Sequence, residues 1–206
     1  MINDPNAGDP HFDDANGILR NLRGFTGQAK LDRYERLRSA EAIYDLELNP
    51  VRGSFDQAHL QAIHKRIFEK VYPWAGELRR VNISRPASYP FALIQFMQRN
   101  LDETFARLAS EGHLRALGAG AFADRAAFYL GELNTLHPFR EGNGRTQREF
   151  IRELALEAGH NPDWSRVTRK QMVEASILSH NLGKKSGLAG VIRSALEPVS
   201  REWKPR

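Results

Sequence analysis

Two apolar stripes of helical period, interrupted by a loop rich in glycine and charge, constrain this chain more than any other stretch. Phe122, Ala126, Tyr129, Leu130, Leu133 and Leu136 recur mainly at three- and four-residue steps, the spacing of a helix with one face in a core. His137-Pro138 ends that run, because the residue before a proline is pushed away from helical angles. Phe150, Ile151, Leu154, Ala155 and Ala158 then form a second stripe, stopped by Gly159 in the usual position after a helix. The intervening segment, His137-Pro138-Phe139-Arg140-Glu141-Gly142-Asn143-Gly144-Arg145-Thr146-Gln147-Arg148, is therefore a loop that feeds a helix N-terminus near Gly144 or Arg145.

A helix start leaves backbone N–H groups unpaired and carries a partial positive charge, so it attracts anions. Gly142 and Gly144 let the backbone approach a phosphate with no Cβ in the way. Arg145 and Arg148 lie three positions apart, on one helix face, and can grip phosphate oxygens. Cations in a first helical turn oppose the macrodipole at roughly 0.3–1 kcal/mol each. Stability alone would favour Asp or Glu there, and a bound anion reverses the penalty. Glu141 is the only acid of the loop, and Mg²⁺ takes one or two protein carboxylates plus substrate phosphates, which makes Glu141 the candidate metal ligand. Asn143 can orient a phosphate oxygen through its amide. His137 is the group able to accept a proton near neutral pH. A lone histidine at a helix end is usually a cap or a core residue. The whole set at this spacing instead describes nucleotidyl or phosphoryl transfer, with His137 deprotonating an incoming hydroxyl.

His137 to Arg148 resembles in full the signature of the Fic (filamentation induced by cAMP) family, His-x-Phe-x-Asp/Glu-Gly-Asn-Gly-Arg-x-x-Arg. Asn16-Gly17-Ile18-Leu19-Arg20-Asn21-Leu22 is similar to the family's N-terminal segment. The run Ile63-His64-Lys65-Arg66-Ile67-Phe68-Glu69-Lys70-Val71-Tyr72-Pro73-Trp74-Ala75-Gly76-Glu77-Leu78-Arg79 is similar to the helix and turn before its flap. The likeness spans residues 10–195 and is strongest to the toxin branch of bacterial toxin–antitoxin pairs and conjugation-linked proteins.

The resemblance implies a mainly α fold, a helical bundle with one short β-hairpin flap, and transfer of AMP from ATP to a Ser, Thr or Tyr hydroxyl of a target protein. It makes His137 the general base and Glu141 the Mg²⁺ ligand. Gly142, Asn143 and Gly144 become the anion hole, Arg145 and Arg148 the phosphate contacts, and Phe139 the buried anchor of the loop. In the family's phosphotransferase branch a lysine stands where this chain has Gly144, so the glycine implies an ATP orientation suited to AMP transfer. A UMP or phosphocholine donor stays open, since the motif does not read the base.

Val81 and Ile83 alternate with Asn82 and Ser84 as in a half-buried strand, Arg85-Pro86-Ala87-Ser88-Tyr89-Pro90 reads as a turn, and Phe91-Ala92-Leu93-Ile94 is apolar again. A β-hairpin with prolines at its edge is expected, able to capture an extended target segment along its unpaired strand. It resembles the family's flap, with Ser84, Phe91 and Ala92 docking the target and Phe91 clamping its side chain. Members that restrain themselves carry a Ser/Thr-x-x-x-Glu-Gly/Asn helix, and no segment of this sequence matches it. The expectation is a separate small antitoxin supplying that helix, and no AMP-removing activity. By analogy within the branch, the target is the B subunit of DNA gyrase or the ATPase subunit of topoisomerase IV. An effector delivered to a host or recipient cell is the alternative.

Other motifs carry less. Gly183-Lys184-Lys185-Ser186 resembles a fragment of a P-loop but has Leu178 where a glycine is needed, so it reads as a basic loop before a last helix. His59 and His64 are five apart and lack the spacing of a zinc-protease helix, so both read as structural. The chain has 206 residues and a net charge of +5, with Arg20, Arg23, Lys30, Arg33, Arg36 and Arg38 interleaved with Asp32, Glu35 and Glu41. That mixture describes a solvated helix face rather than a nucleic-acid surface. No cysteine, no apolar leader and no apolar run of membrane length lead to the expectation of a cytoplasmic single domain over residues 1–206, core about 10–195, with no membrane partner. The first ten residues and the C-terminal tail are expected to be loose.

Overall fold

The structure is a computed structural model that describes residues 8–84 and 89–196. Expectations for the first seven residues, for Arg85 to Ser88, and for the tail with Pro198 and Trp203 lie outside the described residues. The fold is mainly α, as the apolar periodicity requires. Helices α1 (Gln28–Leu48), α2 (Gln57–Phe68), α3 (Ile94–Ser110), α4 (Ala119–Leu136), α5 (Asn143–Glu157), α6 (Arg169–Leu182) and α7 (Ser186–Leu196) surround one contiguous apolar core.

The first apolar stripe is α4, and it is the central helix. Phe122, Ala126, Tyr129 and Leu133 are fully buried, and α4 packs against α3, α5, α6 and α7. The second stripe is α5, with Phe150, Ile151, Leu154 and Ala155 at zero exposure, lying between α2 and α4. Gly159 follows it at φ +81°, as its position after the stripe anticipates. Thr168 closes a capping box with Gln171 at the start of α6, and Gly183 ends that helix in the left-handed conformation. The P-loop-like fragment is thus a helix cap and a short connection, in which Lys185 pairs with Glu132 at 3.1 Å.

The two-stranded antiparallel pair of the described residues is β1 (Phe12–Asp13) with β2 (Ile18–Leu19), in register Phe12 to Leu19 and Asp13 to Ile18. Asn16-Gly17 turns between them, with Gly17 at φ +68°. The hairpin expected across Val81–Ile94 forms no ladder in its described parts. The physical reason is competition, because the backbone groups there bond to α4, to the Asn82 side chain and to the Arg79 guanidinium instead of to a strand partner. Ala92 N–H donates to the Thr135 carbonyl at 3.0 Å, Ile94 N–H donates to Asn82 Oδ1 at 2.9 Å, and both the Val81 and Ala92 carbonyls accept from Arg79.

Candidate active site

His137 ends α4 in the left-handed conformation (φ 47°, ψ 60°), where its N–H still reaches the Leu133 carbonyl at 2.9 Å. A non-glycine residue there is uncommon and strained. Pro138 forbids the helical alternative, and Arg79 Nε grips the His137 carbonyl at 2.8 Å. The imidazole is buried at 6% exposure, and its Nδ1 lies 3.2 Å from the Asn134 carbonyl. A ring nitrogen facing a carbonyl must donate, so Nδ1 carries the proton and Nε2 holds the lone pair a base needs. Phe91 stacks on this ring at 3.7 Å and 12°, and the His180 ring lies 5.1 Å from Phe91 in a tilted arrangement. The sequence reading sets Phe91 against the target side chain; here one face of its ring lies on His137, and the residue lines the cleft.

From Pro138 the loop runs over Phe139, which is fully buried and stacked on the His64 ring at 3.9 Å. Asn143 braces the loop from the other end. Its Oδ1 accepts from Phe139 N–H at 2.9 Å and its Nδ2 donates to the Phe139 carbonyl at 2.7 Å. The amide side chain is spent on the loop, which leaves the backbone N–H of Asn143 as its means of meeting an anion. Gly142 caps α5 at φ +80°, and a Cβ there would sit 2.3 Å from the Phe68 ring. That position requires glycine twice over. Gly144 has no such backbone demand, and a Cβ there would meet Arg148 Nη1 at 3.4 Å. Helix α5 therefore starts at Asn143, one or two residues before the position the sequence suggests, and its first N–H groups have no carbonyl of their own.

The two arginines divide the work. Arg145 is held by α1, with Nη1 on Ser39 Oγ at 2.9 Å, Nη2 on Glu35 Oε1 at 2.6 Å, and its guanidinium over the Phe68 ring. Arg148 has no ion pair or hydrogen bond among the described residues, and burial together with the neighbouring Arg145 charge pushes its pKa down. A half-buried cation with no counterion is costly, and it is what an anion site needs. Glu141 is exposed toward the same cleft, with Oε1 accepting from Gly142 N–H at 2.8 Å.

These groups line a cleft of about 780 Å³, bounded by α1, the α4–α5 loop, the flap segment with Ile83, Ser84 and Phe91, and α6. Ala92 does not line it and instead roots the flap on Thr135. Among the described residues, no group of three His, Asp or Glu side chains is placed to hold a metal ion. A single carboxylate beside an anion cradle still suits a magnesium ion that arrives with phosphates.

Several residues escaped the sequence reading in part or whole. His64 lies at zero exposure, accepts from Gly76 N–H through Nδ1 at 2.8 Å and donates from Nε2 to the Glu141 carbonyl at 3.1 Å. Burial holds its pKa down at about 3, so it is a neutral strut under the metal-ligand candidate. The expectation of a structural histidine is met there, and in His59, whose Nε2 reaches Glu153 at 2.8 Å. Asp9, with its carboxylate buried, pairs with Arg140 and ties the N-terminal segment to the loop. Arg79 is fully buried and had no signal beyond its place after Gly76.

A histidine set against a backbone carbonyl, a glycine-lined helix start and an arginine with no ion pair among the described residues make, on a helical bundle, an arrangement suited to phosphate chemistry. Residues 54–155 match the model of the Fic/DOC family. Across 92% of its length the chain is 43% identical to the protein adenylyltransferase VbhT of Bartonella schoenbuchensis, of which it spans 39%. It is 37% identical to the probable protein adenylyltransferase y4lH of Sinorhizobium fredii, over 85% of this chain and 90% of that one. The fold superimposes with a TM-score of 0.84 on BepC of Bartonella tribocorum, a VirB-translocated effector solved with bound AMPPNP, at 27% identity over 91% and 96% of the two chains. The chain belongs to the Fic/DOC family.

Proposed function

We propose that the chain transfers AMP from ATP to a Ser, Thr or Tyr hydroxyl of a target protein, as the toxin of a bacterial toxin–antitoxin pair. The observation that supports the reaction is the place of His137 in the cleft wall, its Nδ1 on the Asn134 carbonyl, beside the start of α5 and Arg148. The target oxygen attacks the α-phosphorus, its proton passes to His137 Nε2, and the bond to the departing pyrophosphate breaks. Backbone N–H groups at the start of α5 and the Arg148 guanidinium meet the developing charge. Magnesium, carried by the phosphates and held by Glu141, would neutralise charge on the leaving group.

The toxin reading rests on the resemblance to that branch and on the lack, within these 206 residues, of a Ser/Thr-x-x-x-Glu-Gly/Asn segment. Any such restraint comes from elsewhere, and a small antitoxin is the partner we favour. Gyrase B or the topoisomerase IV ATPase subunit is the proposed target, and the cytoplasm the proposed compartment. Among the described residues no helix is long and apolar enough to cross a membrane. The likeness to a VirB-translocated effector favours a second reading, modification of a host protein.

The test is incubation with α-³²P-ATP, Mg²⁺ and bacterial lysate. Label on a protein of gyrase or topoisomerase size, absent with His137→Ala, is the expected result. Full labelling by His137→Ala would remove the general base from this account. Label only from γ-³²P-ATP would mean phosphorylation instead.

A further inference from the structure

Arg79 gathers four carbonyls from three places in the chain. Its Nε donates to His137 O at 2.8 Å, Nη1 to Val81 O at 2.6 Å, and Nη2 to both Ala92 O and Leu136 O, the latter at 3.2 Å. Its own N–H adds a bond to Pro138 O at 2.9 Å. Val81 and Ala92 are the two roots of the flap segment. Leu136, His137 and Pro138 are the end of α4 and the strained turn that presents the base. One planar fork therefore joins both roots of the flap to the turn that presents His137.

The side chain is 1% exposed and forms no ion pair among the described residues. Burial pushes its pKa down to about 10. A buried cation without a counterion is a poor way to fill a core, since an apolar side chain of like volume would be cheaper. What the guanidinium supplies, and a methionine or leucine would not, is five directed donors in a rigid plane. The recipients are all backbone, so the fork fixes chain positions and not side-chain identities.

We infer that Arg79 is a positioning residue that sets the distance and register of the flap relative to His137. The flap segment has no strand ladder of its own in its described parts, and is held by this fork, by Ala92 N–H on Thr135, by Ile94 N–H on Asn82 Oδ1, and by His180 Nε2 on the Tyr89 carbonyl at 2.9 Å. Among the described residues, the Arg79 side chain is the one seen to bond both roots and the turn that presents His137. A target segment laid along the flap is thereby indexed to the base. The inference rests on the reading of His137 and the flap given above, but it can be judged apart from activity.

The experiment compares the full chain with Arg79→Met and Arg79→Lys by hydrogen–deuterium exchange, AMPPNP binding and AMP transfer into lysate. Exchange in peptides from 79–93, including the Ala92 amide, should quicken about tenfold or more, with α4 and α5 interiors unchanged. AMPPNP affinity should stay at the wild-type value, since no residue of the phosphate cradle bonds to Arg79, while transfer falls. Lysine should recover little, because a point charge cannot reproduce the fork. Flap exchange at the wild-type rate in either folded variant overturns the inference. So does loss of protection spread evenly over the chain, or failure of both variants to fold, since that marks a purely structural residue. If the wild-type chain itself transfers no AMP, the proposed function fails and the exchange result still decides the role of Arg79.

Discussion

Alanine placed at Gly142 and at Gly144 should separate stability from activity, although the two positions differ by one residue between them. At Gly142 the backbone stands at φ +80°, which an L side chain enters at a cost of about 1–2 kcal/mol. The added Cβ would also fall 2.3 Å from the Phe68 ring, which is fully buried and cannot swing away. Overpacking of that kind costs about 1–3 kcal/mol more. The sum, about 2–5 kcal/mol, corresponds in a chain of this length to a fall in Tm of roughly 4–20 °C. At Gly144 the φ is ordinary and the Cβ would meet only Arg148 Nη1 at 3.4 Å. Gly144→Ala should therefore hold or raise Tm, because alanine favours a helix over glycine by about 1 kcal/mol. It should still weaken ATP binding, since the methyl stands beside the Arg148 guanidinium in the anion cradle. Thermal melts by circular dichroism and nucleotide titration read both effects. A Gly142→Ala protein that melts within a degree of wild type would refute the geometric argument, and so would a Gly144→Ala protein that melts lower than Gly142→Ala.

Arg148→Met should weaken ATP binding by about tenfold or more at little cost in stability, since it removes an unpaired, half-buried cation. Arg145→Met should instead lower stability by about 1–3 kcal/mol, because Glu35 loses its cation and Ser39 one of its two hydrogen bonds; equal behaviour of the two variants in urea melts and titrations would sink the division of labour. His64, held neutral by burial with its pKa near 3, takes up a proton in the unfolded chain below about pH 6.5 and not in the folded one. Stability should thus fall as the pH drops from about 6.5 toward 3, with His64 contributing up to about 1.4 kcal/mol per pH unit. His64→Gln should flatten that slope in urea denaturation, and an unchanged slope would assign the acid sensitivity to other groups.

Much of the fold lay open in the sequence because period and punctuation agree. The stripe from Phe122 to Leu136 became α4, His137-Pro138 ended it, and Gly159 closed α5. The hairpin around Val81–Ile94 was less legible, since alternation says only that a segment is half-buried and not which groups its backbone will find. There the Arg79 fork and Thr135 took the bonds a strand partner would have taken. The pairing of Phe12–Asp13 with Ile18–Leu19 did have a signal, the Asn16-Gly17 turn, overshadowed by the short strands on either side. Within the site, residue types and spacing located His137, Glu141 and the glycines. They could not tell Arg145 from Arg148, because the difference lies in Glu35 and Ser39, more than a hundred positions upstream in the chain. Nor could they show that the Asn143 amide turns inward.

That inward turn separates two kinds of change the molecule can tolerate. Phe139 and Asn143 close a small ring by two mutual hydrogen bonds, so the loop holds its shape before any nucleotide arrives. The ordering entropy is settled during folding, and nucleotide entry should proceed with little rearrangement of the loop. None of the bonds in that ring involves the flap. Substitutions at Ile83 or Ser84, on the flap side of the cleft, should therefore leave the shape of the loop unchanged, so what the cleft admits and how the loop is built can vary apart.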